Sequence, residues 1–365
     1  MKNILTRKIK FENCLFILFC LLGIGYGIYT IFSDLSGIRI FSSNITGILL
    51  LAVSSILLVV EILLLILKKN NCIKRIGYLV VCFIALLVVI DVIVLGIVRS
   101  YIIVSSMEKR PTTVDPLMLR LVYFTKKNFK PILLGIWTTL WLSMAGTIIG
   151  LILGLLFITL RTLEVTPKDN EFVAFLKKIA SGFVKLYVTV FRGTPMMVQA
   201  ILIYYFLPGI LSGIFNIDQQ ILNDILTVGV AGLITVSLNT TAYLTEVLRG
   251  GIEALNKGQM EAARSLGMTR TQAMVNVILP QGIKNSLPSI CNEFIINIKD
   301  TSVLNVIQVM DLFYIVGYIN GKTFSNDGIY VAAIIYLCLT LGISKLLGFI
   351  EKKMNLVNKP LPSSN

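Results

Sequence analysis

Long apolar stretches alternate with short polar and basic segments along almost the whole chain. Crossing a hydrocarbon core roughly 30 Å thick takes about 20 apolar residues. Stretches of that length lie at about 12–32, 47–67, 76–98, 132–160, 196–215, 227–246 and 329–350. A weaker one, 283–308, contains Asn292, Glu293, Asn297, Lys299 and Asp300, and we count it as an eighth crossing. The pattern predicts an all-α, polytopic integral membrane protein with about eight transmembrane helices.

The charges of the chain indicate its topology. Hydrophobic residues make up 56% of the sequence and charged residues 14%, whereas soluble domains carry roughly 25% charge. The net charge of +14 comes from Lys and Arg concentrated between the apolar stretches. With both termini in the cytoplasm, most of these basic residues fall on the inside, as the positive-inside rule requires. A basic cluster at 99–130 falls outside, and its second half, 116–130, is typical of a helix lying on lipid headgroups.

The pattern divides the chain into three regions. Residues 1–130 hold three spans and the interfacial segment, residues 131–350 hold five spans, and residues 351–365 form a cytoplasmic tail. Two acidic residues, Glu61 and Asp91, fall within spans of the first region. An ionisable group at membrane depth is a functional candidate, but we favour neighbouring helices as the partners of both.

The sequence does not favour an enzyme. The chain has no His, which removes the commonest general base and metal ligand at neutral pH. Gly321-Lys322-Thr323 resembles the end of a phosphate-binding P-loop, but the first glycine of that motif would fall at Val316. We therefore expect no catalytic residue, no metal and no cofactor on this chain.

The segment 250–288 predicts two short helices joined by a sharp turn. Asn256-Lys257-Gly258 ends one helical run, and a short helix follows it. Gly267 stops that helix as a C-terminal glycine does, and Thr269 caps a second helix that runs to a break at Leu279-Pro280. Such a protrusion suits docking to another protein, although an ordinary helical hairpin between two spans gives the same pattern.

This segment also carries a known signature. It consists of Glu261-Ala262-Ala263, Gly267 and Val277-Ile278-Leu279-Pro280. These residues resemble the E-A-A-x3-G-x9-I-x-L-P motif of ABC importer permeases, with Val277 in place of the usual Ile. The resemblance implies a coupling helix seated in a groove of a separate ATP-binding subunit. The coupling residues that it implies are Gly258, Glu261, Ala262, Ala263, Leu266, Gly267, Leu279 and Pro280.

Other motifs narrow the resemblance to the polar amino acid branch of that family. Arg192-Gly193-Thr194-Pro195 resembles the entry to a core span of this branch. Pro195 suits the first turn of a helix, and we expect Arg192 and Gly193 at its cytoplasmic mouth. The stretches 238–243 and Lys299-Asp300-Thr301-Ser302 resemble the same branch. The resemblance covers roughly residues 131–350.

Polar side chains at membrane depth are candidates for a translocation pathway, because each must find a partner or face water. The candidates are Gln199, Asn239, Thr240, Glu246, Asn292 and Glu293. Hydrogen bonding between helices is the competing explanation. Lys299 and Asp300 suggest a local ion-pair network or gate. Close helix packing, within the subunit or across a dimer, is expected along Gly146, Gly150 and Gly154.

The resemblance implies the permease subunit of an ATP-driven ABC importer that moves a polar amino acid across the bacterial cytoplasmic membrane. ATP and Mg would be bound by a partner ATPase, and a second permease copy or homologue would complete the pathway. An extracytoplasmic binding protein would deliver the amino acid, and no nucleic acid is expected. Two other classes stay open, a secondary transporter using Glu61, Asp91 or Glu246 and a non-transporting membrane scaffold or sensor. Dependence of activity on the ATPase separates the importer from both.

Overall fold

The computed structural model describes most of the chain from residue 94 onward. The described residues are 94, 96–163, 165 and 169–355. Every element in these ranges is a helix, and the ranges contain no strand. The chain divides into two compact units between Lys126 and Lys127.

The first three predicted spans are not among the described residues. The spans 12–32 and 47–67 lie wholly outside them, and 76–98 lies outside them except at its end. Glu61 and Asp91 are also outside. The count of eight spans and the role of the first region therefore stay predictions.

The described part of the first unit is a pair of helices, α1 (Gly96–Ser106) and α2 (Leu117–Lys127). Lys126 joins them, because its ammonium group donates to Ser105 Oγ at 2.7 Å and lies 4.4 Å from the centre of the Tyr101 ring. The helix expected within 116–130 is thus present as α2. Its position on lipid headgroups stays a prediction.

The second unit contains the remaining helices. They are α3 (Phe129–Arg161), α4 (Glu171–Gly193), α5 (Met196–Ile201), α6 (Leu207–Phe215), α7 (Gln219–Ile225), α8 (Val228–Glu253), α9 (Gly258–Ser265), α10 (Arg270–Ala273), α11 (Leu279–Asp300), α12 (Leu312–Thr323) and α13 (Asp327–Asn355). One-turn π-helices connect α5 to α6 and α10 to α11, and a 3₁₀-helix, Thr301–Ile307, extends α11.

Four of these helical segments are long and apolar enough to cross a membrane, namely Phe129–Arg161, Met196–Phe215, Val228–Glu253 and Asp327–Glu351. A fifth crossing exists if Arg270–Ile307 and Leu312–Thr323 form one span bent by 50°. These segments coincide with the five predicted spans after residue 131. The prediction of an all-α, polytopic membrane protein is confirmed.

The centre of the second unit is the contact between α3 and α8. A Cβ atom added to Gly146 would come within 2.9 Å of Val236 Cβ, and one added to Gly150 within 2.8 Å of Thr240 Cβ. Gly154 continues the same contact toward Leu244. The glycine face therefore packs within this subunit, and the two helices run in the same direction.

Both π-helical turns precede a Leu-Pro pair. Leu202–Phe206 comes before Pro208, and Met274–Ile278 comes before Pro280. A proline has no N–H, and its ring clashes with the carbonyl four residues earlier in a regular helix. The wider turn removes that clash, since the N–H of Leu279 bonds the carbonyl of Met274, five residues back. The helix expected to break at Leu279-Pro280 therefore continues through it, and that prediction was wrong.

Helix α4 was not predicted as an element. It is amphipathic, with Val184 and Val188 buried, and the Tyr187 ring meets Phe157 of α3 edge-on at 4.8 Å. Its lysines lower the mean hydropathy of the segment, so the sequence analysis treated it as a basic cytoplasmic loop.

Candidate functional site

The loop between α8 and α11 has the predicted helix–turn–helix form. Helix α9 ends before Gly267, whose φ of 85° is the left-handed conformation that glycine adopts without strain. Thr269 and Gln272 then form a reciprocal capping box at the start of α10. The turn is thus fixed by a glycine on one side and by two hydrogen bonds on the other.

The outer surface of this loop carries both charged and apolar side chains where the signature lies. Ala263 is buried against the rest of the loop, whereas Glu261 and Ala262 are exposed. Leu266 is 82% exposed at the turn. Gly258 and Pro280 are exposed and Leu279 is half-buried. Leu266 therefore offers an uncovered apolar side chain at the turn, within the segment that carries the signature.

The base of the loop is a close crossing of α8 and α11. A Cβ atom on Gly251 would lie 2.8 Å from the carbonyl oxygen of Gly282. Asn285 Nδ2 donates to the Gly251 carbonyl, and Ser286 Oγ donates to the Val247 carbonyl, both at 3.2 Å. The loop is therefore anchored to two spans at once. The sequence analysis did not predict that Gly251 anchors the loop, although the adjacent glycines Gly250 and Gly251 mark this position.

The Arg192–Pro195 motif lies beside the middle of α8. Tyr187 of α4 donates to the carbonyl of Leu238 at 2.7 Å, and the Arg192 guanidinium lies 5.4 Å from the centre of the Tyr243 ring. Residues 238–243 form the middle of α8, so the break between α4 and α5 lies level with that middle. The position of Arg192 and Gly193 at a cytoplasmic mouth stays a prediction. Pro195 is the N-cap residue of α5, one position before its first turn.

Gln199 ties this break to α8. Its side-chain nitrogen donates to the Phe191 carbonyl at 2.8 Å, the Thr194 carbonyl at 3.0 Å and Thr194 Oγ1 at 2.9 Å. Its side-chain oxygen accepts from Asn239 Nδ2 at 3.0 Å. Two predicted pathway residues, Gln199 and Asn239, are therefore hydrogen-bonded partners that satisfy an irregular backbone at membrane depth.

A second network joins three spans. Asn297 Nδ2 donates to Thr147 Oγ1 at 2.8 Å and to Thr240 Oγ1 at 3.0 Å. Asn297 is 2% exposed, and it holds α3, α8 and α11 together. In the sequence, Asn297 is one of several polar residues of the weak span 283–308. A single sequence does not show which side of a helix faces the interior of the protein.

The remaining candidates lie apart from one another. Glu293 is buried and makes no hydrogen bond or ion pair among the described residues, whereas its neighbour Asn292 is exposed. Lys299 is exposed and Asp300 half-buried.

Glu246 belongs to an ion-pair cluster at the far end of α8. Its two carboxylate oxygens contact Arg161 of α3 and Arg249 of α8. Glu246 is seven residues beyond Asn239, roughly 10 Å at the helical rise. It is therefore separated from the polar centre formed by Gln199, Asn239, Thr240 and Asn297.

Comparison with known proteins agrees with this architecture. Residues 172–356 match the family described as "Binding-protein-dependent transport system inner membrane component". The chain is 33% identical over 239 residues to the putative glutamine transport system permease protein GlnP of Rickettsia prowazekii (strain Madrid E), covering 65% of this chain and 98% of the relative. It is 36% identical over 220 residues to the glutamine transport system permease protein GlnP of Escherichia coli (strain K12), covering 60% and 90%.

Two further similarities have the same character. The arginine transport system permease protein ArtQ of Bacillus subtilis (strain 168) is 33% identical over 224 residues, covering 61% of this chain and 92% of the relative. A solved structure titled "Crystal structure of an amino acid ABC transporter with histidines" has 34% sequence identity and a TM-score of 0.53, covering 66% of this chain and all of that one. This chain thus belongs to the family of binding-protein-dependent inner membrane components, the permease subunits of ABC importers, and is a multi-pass protein of the cytoplasmic membrane.

Proposed function

We propose that this chain carries a polar amino acid through the cytoplasmic membrane as the permease of an importer whose separate ATPase docks on the 250–288 loop. The observation that carries the proposal is the fixed, exposed turn at Leu266 and Gly267, anchored through Gly251 to the span that holds the polar centre. The relatives named for glutamine and arginine transport support the substrate class.

The loop suits docking because contacts within this chain fix the conformation of its turn. Ala262 and Leu266 are exposed and four residues apart, on one side of the helix end, and the positive φ of Gly267 sets the turn that follows them. Small and apolar groups let another backbone approach closely and give up little hydration. In this proposal the partner ATPase binds ATP and Mg. This chain contributes to ATP hydrolysis only by docking that ATPase.

The translocation pathway is proposed along the polar centre and Glu293. An amino acid carries an ammonium and a carboxylate, so a passage for it needs charges of both signs. Glu293 is a buried acid that forms no ion pair with any of the residues that the structure describes. In a membrane span such a group is a functional candidate. Gln199, Asn239 and Thr240 supply polar atoms, while the exposed Asn292 has no assigned partner.

The proposed topology follows from the loop. If 250–288 is cytoplasmic, α8 runs inward and α11 runs outward, and the chain after α13 ends in the cytoplasm. The spans before α3 then place the first residue in the cytoplasm as well. The complex would contain a second permease copy or homologue, two ATPases and an extracytoplasmic binding protein. ATP binding would shift the population between outward-facing and inward-facing states.

The proposal is tested by uptake into proteoliposomes that contain the chain with its ATPase and binding protein. Radiolabelled glutamine, arginine and histidine are supplied with and without ATP. We expect ATP-dependent uptake of at least one of them. Gly267→Val forces a branched side chain into a left-handed conformation, and Glu261→Ala removes a charge from the docking face. Both should lower uptake by about tenfold, within the range of energetic coupling between sites.

The matched control is Gly182→Val on α4, where an added side chain meets nothing within 4 Å and φ is not positive. This variant should transport normally. Uptake that persists without the ATPase and ignores Gly267→Val would contradict the proposal and favour a secondary transporter.

A further inference from the structure

The ends of α3 and α8 nearest the loop meet at a cluster that we call the ionic joint, consisting of Arg161, Glu246 and Arg249. Arg161 Nη1 contacts one carboxylate oxygen of Glu246, and Arg249 Nε donates to the other at 2.8 Å. The side chains of Glu246 and Arg161 are 17% and 20% exposed. Both oxygens of the carboxylate therefore contact guanidinium groups of this subunit.

The ionic joint continues the contact between α3 and α8 beyond their glycine face. From Gly146 to Gly154 the helices touch through glycine on one side and ordinary side chains on the other. Ile158 and Leu248 extend the contact as apolar packing. Such packing fixes the distance between two helices but resists sliding only weakly. An ion pair between named atoms fixes their position along the axis as well.

The ionic joint also lies next to the anchored loop. Arg249 precedes by two residues Gly251, where α8 crosses α11, and Arg249 Nη1 contacts Glu253 at the end of α8. A displacement of the loop therefore enters α8 beside the joint. From α8 it has two routes into the rest of the subunit, the contact with α11 at Gly282 and the contact with α3 at Arg161.

We propose that the Arg161–Glu246 ion pair is a positioning device that makes α3 and α8 move as one body when the loop is displaced. This inference rests on the proposed function, and it assigns Glu246 a role in coupling instead of in the pathway. Movement of α3 with α8 keeps Thr147 and Thr240 at the same distance from each other, as their shared hydrogen bonds with Asn297 require.

The charge of Glu246 is the critical part of the joint. A fully hydrated ion pair contributes little, but a charge left without its partner in a poorly hydrated site is strongly unfavourable. Replacing Glu246 by Gln leaves two guanidinium groups facing each other. Replacing Arg161 by Gln leaves the Glu246–Arg249 pair in place. The first change should therefore open the contact between α3 and α8 more than the second.

The decisive measurement is the number of ATP molecules hydrolysed per amino acid taken up, in proteoliposomes with ATPase and binding protein. We expect Glu246→Gln to keep ATP hydrolysis and to lower uptake by about fivefold or more, the lower limit of typical coupling between sites. Arg161→Gln should have a smaller effect in the same direction. Glu246→Asp, which keeps the charge on a shorter side chain, should recover part of the uptake.

A matched control is available in the Lys177–Asp169 ion pair. Its atoms are 2.7 Å apart and its side chains are 21% and 15% exposed, close to the values in the ionic joint, but it lies on α4 and the preceding segment. Lys177→Gln should leave the ratio of ATP to amino acid unchanged. An equal change in both variants would overturn the proposal, because any lost ion pair would then suffice.

A cross-link separates positioning from substrate contact. With the native cysteines replaced by serine, Arg161→Cys and Glu246→Cys are joined by a flexible bifunctional thiol reagent. If the ion pair only holds the helices together, the cross-link should restore uptake that the uncross-linked double variant lacks. If uptake stays lost after cross-linking, the carboxylate itself is needed or the helices must separate, and the proposal is wrong.

A distance measurement tests the joint without relying on transport. Spin labels at the exposed positions Leu163 and Ala254 report the separation of the two helix ends. We expect a narrow distance distribution in the unmodified chain and a broad one in Glu246→Gln. An unchanged distribution would contradict the joint whatever solute is carried. Failure of the unmodified chain to take up any amino acid would instead contradict the proposed function.

Discussion

Helices α8 and α13 are both long enough to cross a membrane, yet they lie in opposite environments. In the most apolar 18-residue window of each, 61% of α8 is buried within the protein and none of α13 is. The less apolar helix is therefore the central one. In water the order is the reverse, because burial there removes apolar surface from solvent. Lipid covers apolar side chains without cost, so the interior of a membrane protein collects the small and polar ones.

Many polar side chains of α8 donate hydrogen bonds to the backbone of their own helix. Four buried hydroxyl groups donate to the carbonyl four residues earlier at 2.6 to 2.7 Å; they belong to Thr235, Ser237, Thr241 and Thr245. These groups need no solute and no water. Asn239 and Thr240 bond to other helices through their side chains near the middle of α8, and Glu246 does so near its end. Polarity alone therefore overstates the number of pathway residues in this helix.

The largest effect is expected where α8 approaches α11 most closely. Gly251→Val would bring a side chain within 2.8 Å of the Gly282 carbonyl oxygen, and backbone cannot move aside as a flexible side chain does. We expect a loss of about 3 kcal/mol or more, seen as failure to recover a monodisperse protein in size-exclusion chromatography. Gly342→Val on α13, where nothing lies within 4 Å, should be recovered normally. Equal yields of the Gly251→Val and Gly342→Val proteins would contradict the difference in packing between α8 and α13.

The next effect concerns apolar packing at the centre. Leu244 is fully buried and packs with Ile158, Leu248 and Ile290, so Leu244→Ala leaves a cavity between α3, α8 and α11. The expected cost is about 2 to 4 kcal/mol, measured as a lower thermal unfolding midpoint in detergent. A midpoint that does not fall would mean that the surrounding helices collapse into the space.

A smaller effect is expected from the hydrogen-bond network. Asn297→Leu removes both bonds to Thr147 and Thr240. Bonds of this kind in membranes contribute about 0.6 to 2 kcal/mol, so the unfolding midpoint should fall by less than in Leu244→Ala. The neighbouring exposed residue gives the control, because Asn292→Leu places an apolar side chain on an uncovered surface and should not lower the midpoint. The reverse ranking would mean that Asn292 faces the interior of the complex.

The smallest effect is expected on α13. Leu337 is 58% exposed, and Leu337→Ala changes a surface that lipid covers. Surface substitutions usually lie within about 0.5 kcal/mol, so the unfolding midpoint should stay where it is. A fall as large as that of Leu244→Ala would show that α13 packs against a second subunit.

Hydropathy and turn chemistry were enough to predict the spans after residue 131 and the form of the loop. Gly267 and Thr269 act locally, through backbone conformation and a side-chain cap, so their roles are visible in a short window of sequence. The position of Arg192 beside Tyr243 depends on a contact between distant parts of the chain. The burial of Asn297, in contrast to the exposed Asn292, likewise depends on its contact with α8. No local pattern contains that information. Helix α4 was missed because its lysines hide an apolar side that Val184 and Val188 bury.

The π-helical turn at Met274–Ile278 determines the direction in which the loop points from the end of α11. One residue more than a regular helix requires is held in that turn. Each residue of an α-helix turns the chain by about 100°. Deleting one residue there would return the segment to regular winding and rotate α9 and Leu266 by about that angle around the axis of α11. The direction in which the proposed docking surface faces is thus set by one surplus residue, and a one-residue change in length should redirect that surface without altering its side chains.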